Sequence, residues 1–320
     1  MKVTMLSEVR ERPRRVAVGE FDGVHLGHRE VIRGSDSVLT FDPHPVSVVA
    51  PQHAPKLLTP LAVKAELIAA LGVRELIVIP FDAAFAARTA QEFIDEVLVE
   101  ALGAVRVSVG ENFRFGHRAQ GDTQLLAADG RFQTTVHPLL EVDGEIVSSS
   151  HIRGLVLAGE VDQATRFLGA PFQLRGEVVR GDERGRTLDF PTANLIPEEE
   201  LVCPGHGIYA CLANGWPKRG CWPNGGCSPE ASVSPLRSEA SVSRLRQAAV
   251  NVGVRPTFTT GRGELIEAYL LDFDGDLYGT ELRLDFIRRL RGERRFATAE
   301  ALIEQMHRDV EQTRKALAEL

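Results

Sequence analysis

The sequence predicts two domains of different class: an α/β domain built on a parallel sheet, then a small antiparallel β-barrel with a C-terminal helix. Three observations predict this. The chain has 320 residues, beyond the size at which one core usually serves. Its first half alternates short apolar runs with amphipathic stretches, whereas its second half strings strand-like segments together with Gly, Asn and Asp between them. Its last stretch, TAEALIEQMHRDVEQTRKALAEL, places apolar residues at helical spacing.

In order along the chain, RVAVG, SVLTF, ELIVIP and AVRVSVG read as buried strands rich in Val and Ile. PLAVKAELIAALG and TAQEFIDEVLVEALG read as helices that stop at Gly. This βαβα order predicts a parallel sheet with helices on both faces and ligands beyond the carboxyl ends of its strands. VDQATRFLG is a short helix with Val161, Ala164, Thr165 and Leu168 on one face, stopped by Gly169 and Pro171. The domain boundary is expected there, giving domains 1–168 and 169–320. FQLRGEVVRG, GIYACLA, QAAVNVG, LIEAYLLDFDG and ELRLDFIRRL then supply barrel strands. The C-terminal helix is expected to dock on them through Leu302, Ile303, Met306, Val310 and Leu317. Residues 214–246, rich in Gly, Pro, Ser and Arg, read as a mobile insertion.

Composition narrows the function. The net charge of −7 argues against a nucleic-acid-coating protein. No apolar run approaches the roughly 20 residues of a membrane span. The N-terminus has no signal core, so a cytoplasmic protein is expected. Four cysteines in this length make no disulfide framework, and Cys211, Cys221 and Cys227 lack the paired spacing of a zinc site. Oligomeric state is not legible.

GEFDGVHLGH, residues 19–28, follows the first buried strand. Gly19 and Gly23 permit a tight strand-to-helix turn. His25 and His28 are one helical turn apart, at a helix start suited to phosphate. In isolation such a pair reads first as a capped turn with two surface histidines. In LIEAYLLDF, strand alternation puts Glu267 on one face with Leu265, Tyr269, Leu271 and Phe273, one carboxylate in a largely apolar row. Partial burial there would make it a better base toward an alcohol.

With TFDPHP, GENFRFGHRAQGD and SSSHIR added, the first motif resembles the Rossmann-like HxGH nucleotidylyltransferase half of the prokaryotic bifunctional riboflavin kinase/FAD synthetases. GEVVRGDERGRTLDFPTANL, GIYA, NVGVRPTF and EAYLLDFDGDLYG are similar to the riboflavin kinase half. The resemblance implies ATP-dependent phosphorylation of riboflavin to FMN, then adenylyl transfer from ATP to FMN, giving FAD and pyrophosphate. It implies that His25 and His28 hold the ATP phosphates and stabilise the transition state, with Gly19, Phe21, Asp22 and Gly23 in the same ATP-binding turn. Ser149, Ser150 and Arg153 would hold the departing pyrophosphate, and Asn112 would lie in the flavin-nucleotide pocket. In the second half it implies Glu267 as base for the ribityl hydroxyl and Gly181 in a Gly-rich arch over ATP. Thr192 and Asn194 would be Mg²⁺ ligands, and Asn251 and Arg255 flavin contacts.

Three departures from that pattern stand out. Only Arg29 to Asp36 separate HLGH from SVLTF, so eighteen residues span the whole crossover, where a dozen or more are generally needed. Roughly eight helical residues reach about 12 Å, against about 17 Å of return for a five-residue strand. A tight crossover is expected, and with it an alternative in which only the kinase half works and the first half is a scaffold. Asp189 stands where the family has Gly, and 214–246 interrupts two strands. A non-catalytic flavin-binding protein is the remaining alternative.

Overall fold

The computed structural model describes residues 1–180, 190–216, 245–257, 261–273, 275 and 277–320. Among them the chain divides into two units, 1–149 and 150–320.

The first unit is a six-stranded parallel sheet in the order β1-β4-β3-β2-β5-β6. The strands are β1 (Lys2–Met5), β2 (Arg14–Val18), β3 (Ser37–Asp42), β4 (Glu75–Pro80), β5 (Ala104–Gly110) and β6 (Gln133–His137). Successive side chains face opposite layers. Val16, Val18, Leu39, Ile77, Val107 and Val109 pack on one side with Phe93, Ile94, Val97, Leu98 and Leu126. Ala17, Val38, Leu76 and Val78 pack on the other with Ile32 and Ile68. The chain winds outward from β2 through β3 and β4, then returns to β5 and β6. The strand order therefore reverses beside β2, the position at which open α/β sheets bind ligands.

The helices follow from the sequence with one change of pitch. α1 is Leu26–Ile32, α2 Pro45–Val49, α3 Leu61–Ala70, α4 Ala83–Ala86, α5 Ala90–Glu92 and α6 Thr123–Ala128. TAQEFIDEVLVEALG begins with a capping box between Thr89 and Glu92, then widens over Phe93–Ala101, as in the Leu102 N–H bond to the Val97 carbonyl. The short crossover closes. β3 joins β2 at Val16↔Ser37 and leaves its level at Val18↔Leu39, so the chain need return only about 7 Å, within the length of a seven-residue α1. Gly34 at φ +75° turns the exit, and Arg106 donates to its carbonyl at 2.8 Å. The edge strands β1 and β6 escaped the sequence reading because their half-exposed, Thr-rich segments lack an apolar run.

The second unit is a closed barrel, in the order β10-β13-β12-β11-β14-β9. A two-stranded hairpin, β7 (Glu141–Val142) and β8 (Glu145–Ile146), precedes it in the chain. The barrel strands are β9 (Phe172–Val179), β10 (Ala193–Leu195), β11 (Gly207–Trp216), β12 (Arg246–Thr257), β13 (Gly261–Leu270) and β14 (Glu281–Arg291). All their pairings are antiparallel. β11 and β12 run further than expected, so the stretch between them is 217–244, which lies outside the described residues together with Gly181 and Asp189.

α7 (Ser149–Ala158) and α8 (Val161–Leu168) precede the barrel. By packing, α8 goes with the barrel, ahead of the 168/169 boundary expected from sequence, because Val161, Ala164, Phe167 and Leu168 are buried. Phe167, not Thr165, completes that buried face. The C-terminal helix, Ala299–Ala318, docks on β11, β12 and β14. Of its expected stripe only Leu317 is fully buried, while Leu302, Ile303, Met306 and Val310 are half-buried. Two polar residues, Asp309 and Thr313, are buried instead. Arg291 donates to the Asp309 carboxylate at 2.9 and 2.6 Å, and Thr313 donates to the Asp309 carbonyl at 2.8 Å.

Candidate functional site

In the first unit, β2 ends at the strand-order reversal and GEFDGVHLGH forms the turn into α1. Phe21, Gly23 and Val24 all have left-handed backbones, at φ 52°, 85° and 42°. Positive φ is unfavourable for Phe and more so for β-branched Val. Neighbouring bonds hold the turn in place. The Asp22 carboxylate accepts the Leu58 N–H at 2.9 Å and the Thr59 N–H at 3.0 Å, and Gly23 N–H donates to Thr59 Oγ1 at 3.1 Å. Ser149 Oγ donates to the Asp22 carbonyl at 2.9 Å.

Three of the residues expected at ATP also have structural contacts in this turn. Asp22 fastens the turn to the segment entering α3. Phe21 is 1 % exposed and meets His28 edge-on at 5.3 Å. Gly19 lacks a side chain because a Cβ there would stand 3.1 Å from the Phe21 ring.

The two histidines come together. Their rings stack at 3.5 Å, 16° from parallel. His25 is also the N-cap of α1, its Nδ1 accepting the His28 N–H at 3.2 Å. That bond leaves the proton of neutral His25 on Nε2. It also occupies one amide of the first turn of α1. His28 Nδ1 is buried without a hydrogen-bond partner. Burial, then the charge of Arg29, pushes His25 down to about 4. Burial, with the charges of His25 and Lys64, holds His28 well below the usual imidazole range. Both rings are therefore neutral donors at pH 7.

Two groups beside them were missed in the sequence. Glu20 is raised to about 8 by burial, with Asp22 and Asp42 adding to the effect against Lys64, and its Oε2 is buried without a partner. Lys64 of α3 is 7 % exposed. The spacing that marks α3 as a helix assigns Lys64 no role, since bonds of Asp22 and Gly23 to residues 58 and 59 bring that turn to the histidines. Of the remaining expected residues, Asn112 is exposed after β5. α7 starts at Ser149 as SSSHIR suggests, with Ser150 exposed and Arg153 half-buried on it.

In the barrel, Glu267 of β13 stands opposite Asn194 of β10 and Asn251 of β12. Asn251 Nδ2 donates to Glu267 Oε2 at 3.1 Å. The expected alternation holds, but the Glu267 row is the half-buried one. Ile266, Ala268 and Leu270 form the buried row, because small and branched residues fill the barrel interior. Asn194 is buried and Thr192 half-buried. A Thr hydroxyl and an Asn carbonyl beside a carboxylate are hard oxygen donors, which fit Mg²⁺. Among the described residues no three His, Cys, Asp or Glu side chains form a metal cluster. Of Arg255 only the backbone is described.

The FAD synthetase family matches residues 7–151 and the riboflavin kinase family residues 168–317. A bifunctional riboflavin kinase/FMN adenylyltransferase of Listeria monocytogenes is 34% identical, over 95% of this chain and 93% of its own. One from Escherichia coli is 34% identical, over 92% of this chain and 90% of its own. Among solved structures, one described as a macrolide-efflux protein from Streptococcus pneumoniae has a TM-score of 0.82 at 27% identity, covering 98% of this chain and 99% of that one. No helix among the described residues is long and apolar enough to cross a membrane.

Proposed function

This chain belongs to the family of bifunctional riboflavin kinase/FMN adenylyltransferases, and we propose that each unit performs one of the two reactions with the residues brought together above. The barrel converts riboflavin and ATP into FMN and ADP. The first unit then converts FMN and ATP into FAD and pyrophosphate. The observation that supports this best is the presence, in one chain, of a stacked His25–His28 pair and of Glu267 framed by Asn194 and Asn251.

In the kinase reaction Glu267 accepts the ribityl hydroxyl proton as that oxygen bonds to the γ-phosphorus and the bond to ADP breaks. Thr192 and Asn194 would hold Mg²⁺ with ATP, the metal supplying positive charge toward the phosphates. Gly181 and Arg255 are proposed at the ATP and flavin ends.

In the adenylyl reaction an FMN phosphate oxygen attacks the α-phosphorus and pyrophosphate leaves. His25 donates through Nε2–H and His28 lies against it, giving neutral donors to charge that develops on the phosphoryl oxygens. Ser149, Ser150 and Arg153 are proposed for pyrophosphate and Asn112 for the flavin nucleotide. No covalent intermediate is required, so positioning and charge stabilisation supply the rate. A cytoplasmic site of action, where ATP is available, is part of the same proposal.

The experiment gives purified protein Mg-ATP with riboflavin in one assay and with FMN in another. FMN from the first and FAD from the second are expected. FMN without FAD would favour the scaffold alternative, and neither product would defeat the proposal.

A further inference from the structure

Lys64 is the one lysine among the residues whose side chains are fully buried in the described structure. Lysine is rarely buried without a paired charge, because an isolated ammonium loses its hydration. Lys64 makes no hydrogen bond and no ion pair within 4.0 Å to the described residues. It interacts at longer range with Glu20, Asp22 and Asp42, and with His28.

None of the three acids forms a close ion pair with it among the described residues. The Asp22 carboxylate already accepts the Leu58 and Thr59 amides. Glu20 holds its proton at neutral pH. Asp42 lies exposed at the end of β3. Burial lowers the affinity of Lys64 for its proton, and the acids offset that in part.

The placement is enforced. Pro60 begins α3, and the Asp22 bonds fix the two residues before it to the histidine turn. Lys64 follows one helical turn later, so it is held beside His28 by the same bonds that hold the turn. Buried His28 Nδ1 and Glu20 Oε2 lie in the same locality without partners. A buried lysine and unpartnered polar atoms near the neutral His28 imidazole make a locus suited to an anion.

We infer that Lys64 binds the triphosphate of the adenylyl-transfer reaction, as the fixed positive charge that the neutral histidines do not supply. The inference rests on the assignment of adenylyl transfer to this unit. A phosphoryl oxygen has the charge to pair with Lys64, and its arrival would supply the missing counter-ion.

The test is Lys64→Met in the full-length chain, with Lys64→Arg as the variant that keeps the charge. Lys64→Met should lower kcat/KM for ATP in FAD formation by about 100-fold, the size expected for loss of one charge-stabilising donor. It should weaken ATP binding measured by calorimetry without FMN by about tenfold or more. The same preparation should phosphorylate riboflavin within about twofold of the parent and melt no earlier, since an apolar side chain replaces an unpaired buried charge. Lys64→Arg should recover part of the ATP affinity. FAD formation within about threefold of the parent in Lys64→Met would overturn the inference. So would an equal loss of both reactions, which marks a structural residue. A parent protein that makes no FAD from FMN defeats instead the assignment on which the inference rests.

Discussion

At the residue scale, the histidine turn combines two functions that substitutions can separate. His25 caps α1 through Nδ1, which leaves its Nε2–H for the proposed phosphoryl contact. His25→Ala should cost about 1 kcal/mol of stability in the first unit through loss of the cap. It should also lower FAD formation by about 10²–10³-fold. His25→Asn keeps a capping acceptor, so melting should be restored while FAD formation stays low. Glu20 gives a second, pH-dependent test. Its folded value of about 8 lies above the ordinary 4.5, so the folded chain keeps a proton that the unfolded chain has released. The stability it contributes is full below about 4.5 and is lost as pH rises through about 8. Glu20→Gln never ionises. Thermal melts from about pH 5 to about pH 9 should show the variant gaining on the parent across that window, and parallel curves would contradict the burial of this carboxyl.

At the element scale, the site depends on how β2 is fixed to the sheet. Arg14, at the start of β2, is 2 % exposed. It donates to Glu75 at 3.0 Å, to the Leu102 carbonyl at 2.7 Å and to the Arg10 carbonyl at 2.9 Å. Burial alone would raise the Glu75 carboxyl, but hydrogen bonds and charge from Arg14 and Arg12 outweigh it and hold it below the usual range. Glu75→Ala leaves the guanidinium without its carboxylate and should destabilise the first unit by about 3–5 kcal/mol in urea unfolding. A change under about 1 kcal/mol would mean that water replaces the carboxylate. Central strands were legible in the sequence because two apolar faces force uninterrupted Val and Ile runs. Edge strands were not, since one partner and one covered face leave no such run. The wide helix over Phe93–Ala101 was read as an ordinary one, because burial of Phe93, Ile94, Val97 and Leu98 suits either pitch.

At the scale of the whole molecule, local motifs indicated the chemistry, while long-range bonds define the sites. His25, His28 and Glu267 stand out by spacing and by face. Lys64 does not, because its relation to the histidines is made by bonds between Asp22 and residues 36 and 37 positions away, and Glu20, though inside the motif, carries no local sign of its burial. The short crossover, expected to be tight, closes against the upper part of β2. Phe21 and Asp22, expected at ATP from their place in the motif, also support a ring and a loop.

The central claim is that the two phosphate-transfer reactions occur at independent sites in one chain. Its most direct measurement compares Glu267→Gln with His28→Ala, each supplied with Mg-ATP and separately with riboflavin or FMN. A crossed result is expected: Glu267→Gln fails to make FMN but still makes FAD from FMN, and His28→Ala makes FMN but not FAD. Loss of both products in either folded variant, or survival of FAD formation in His28→Ala, would contradict it.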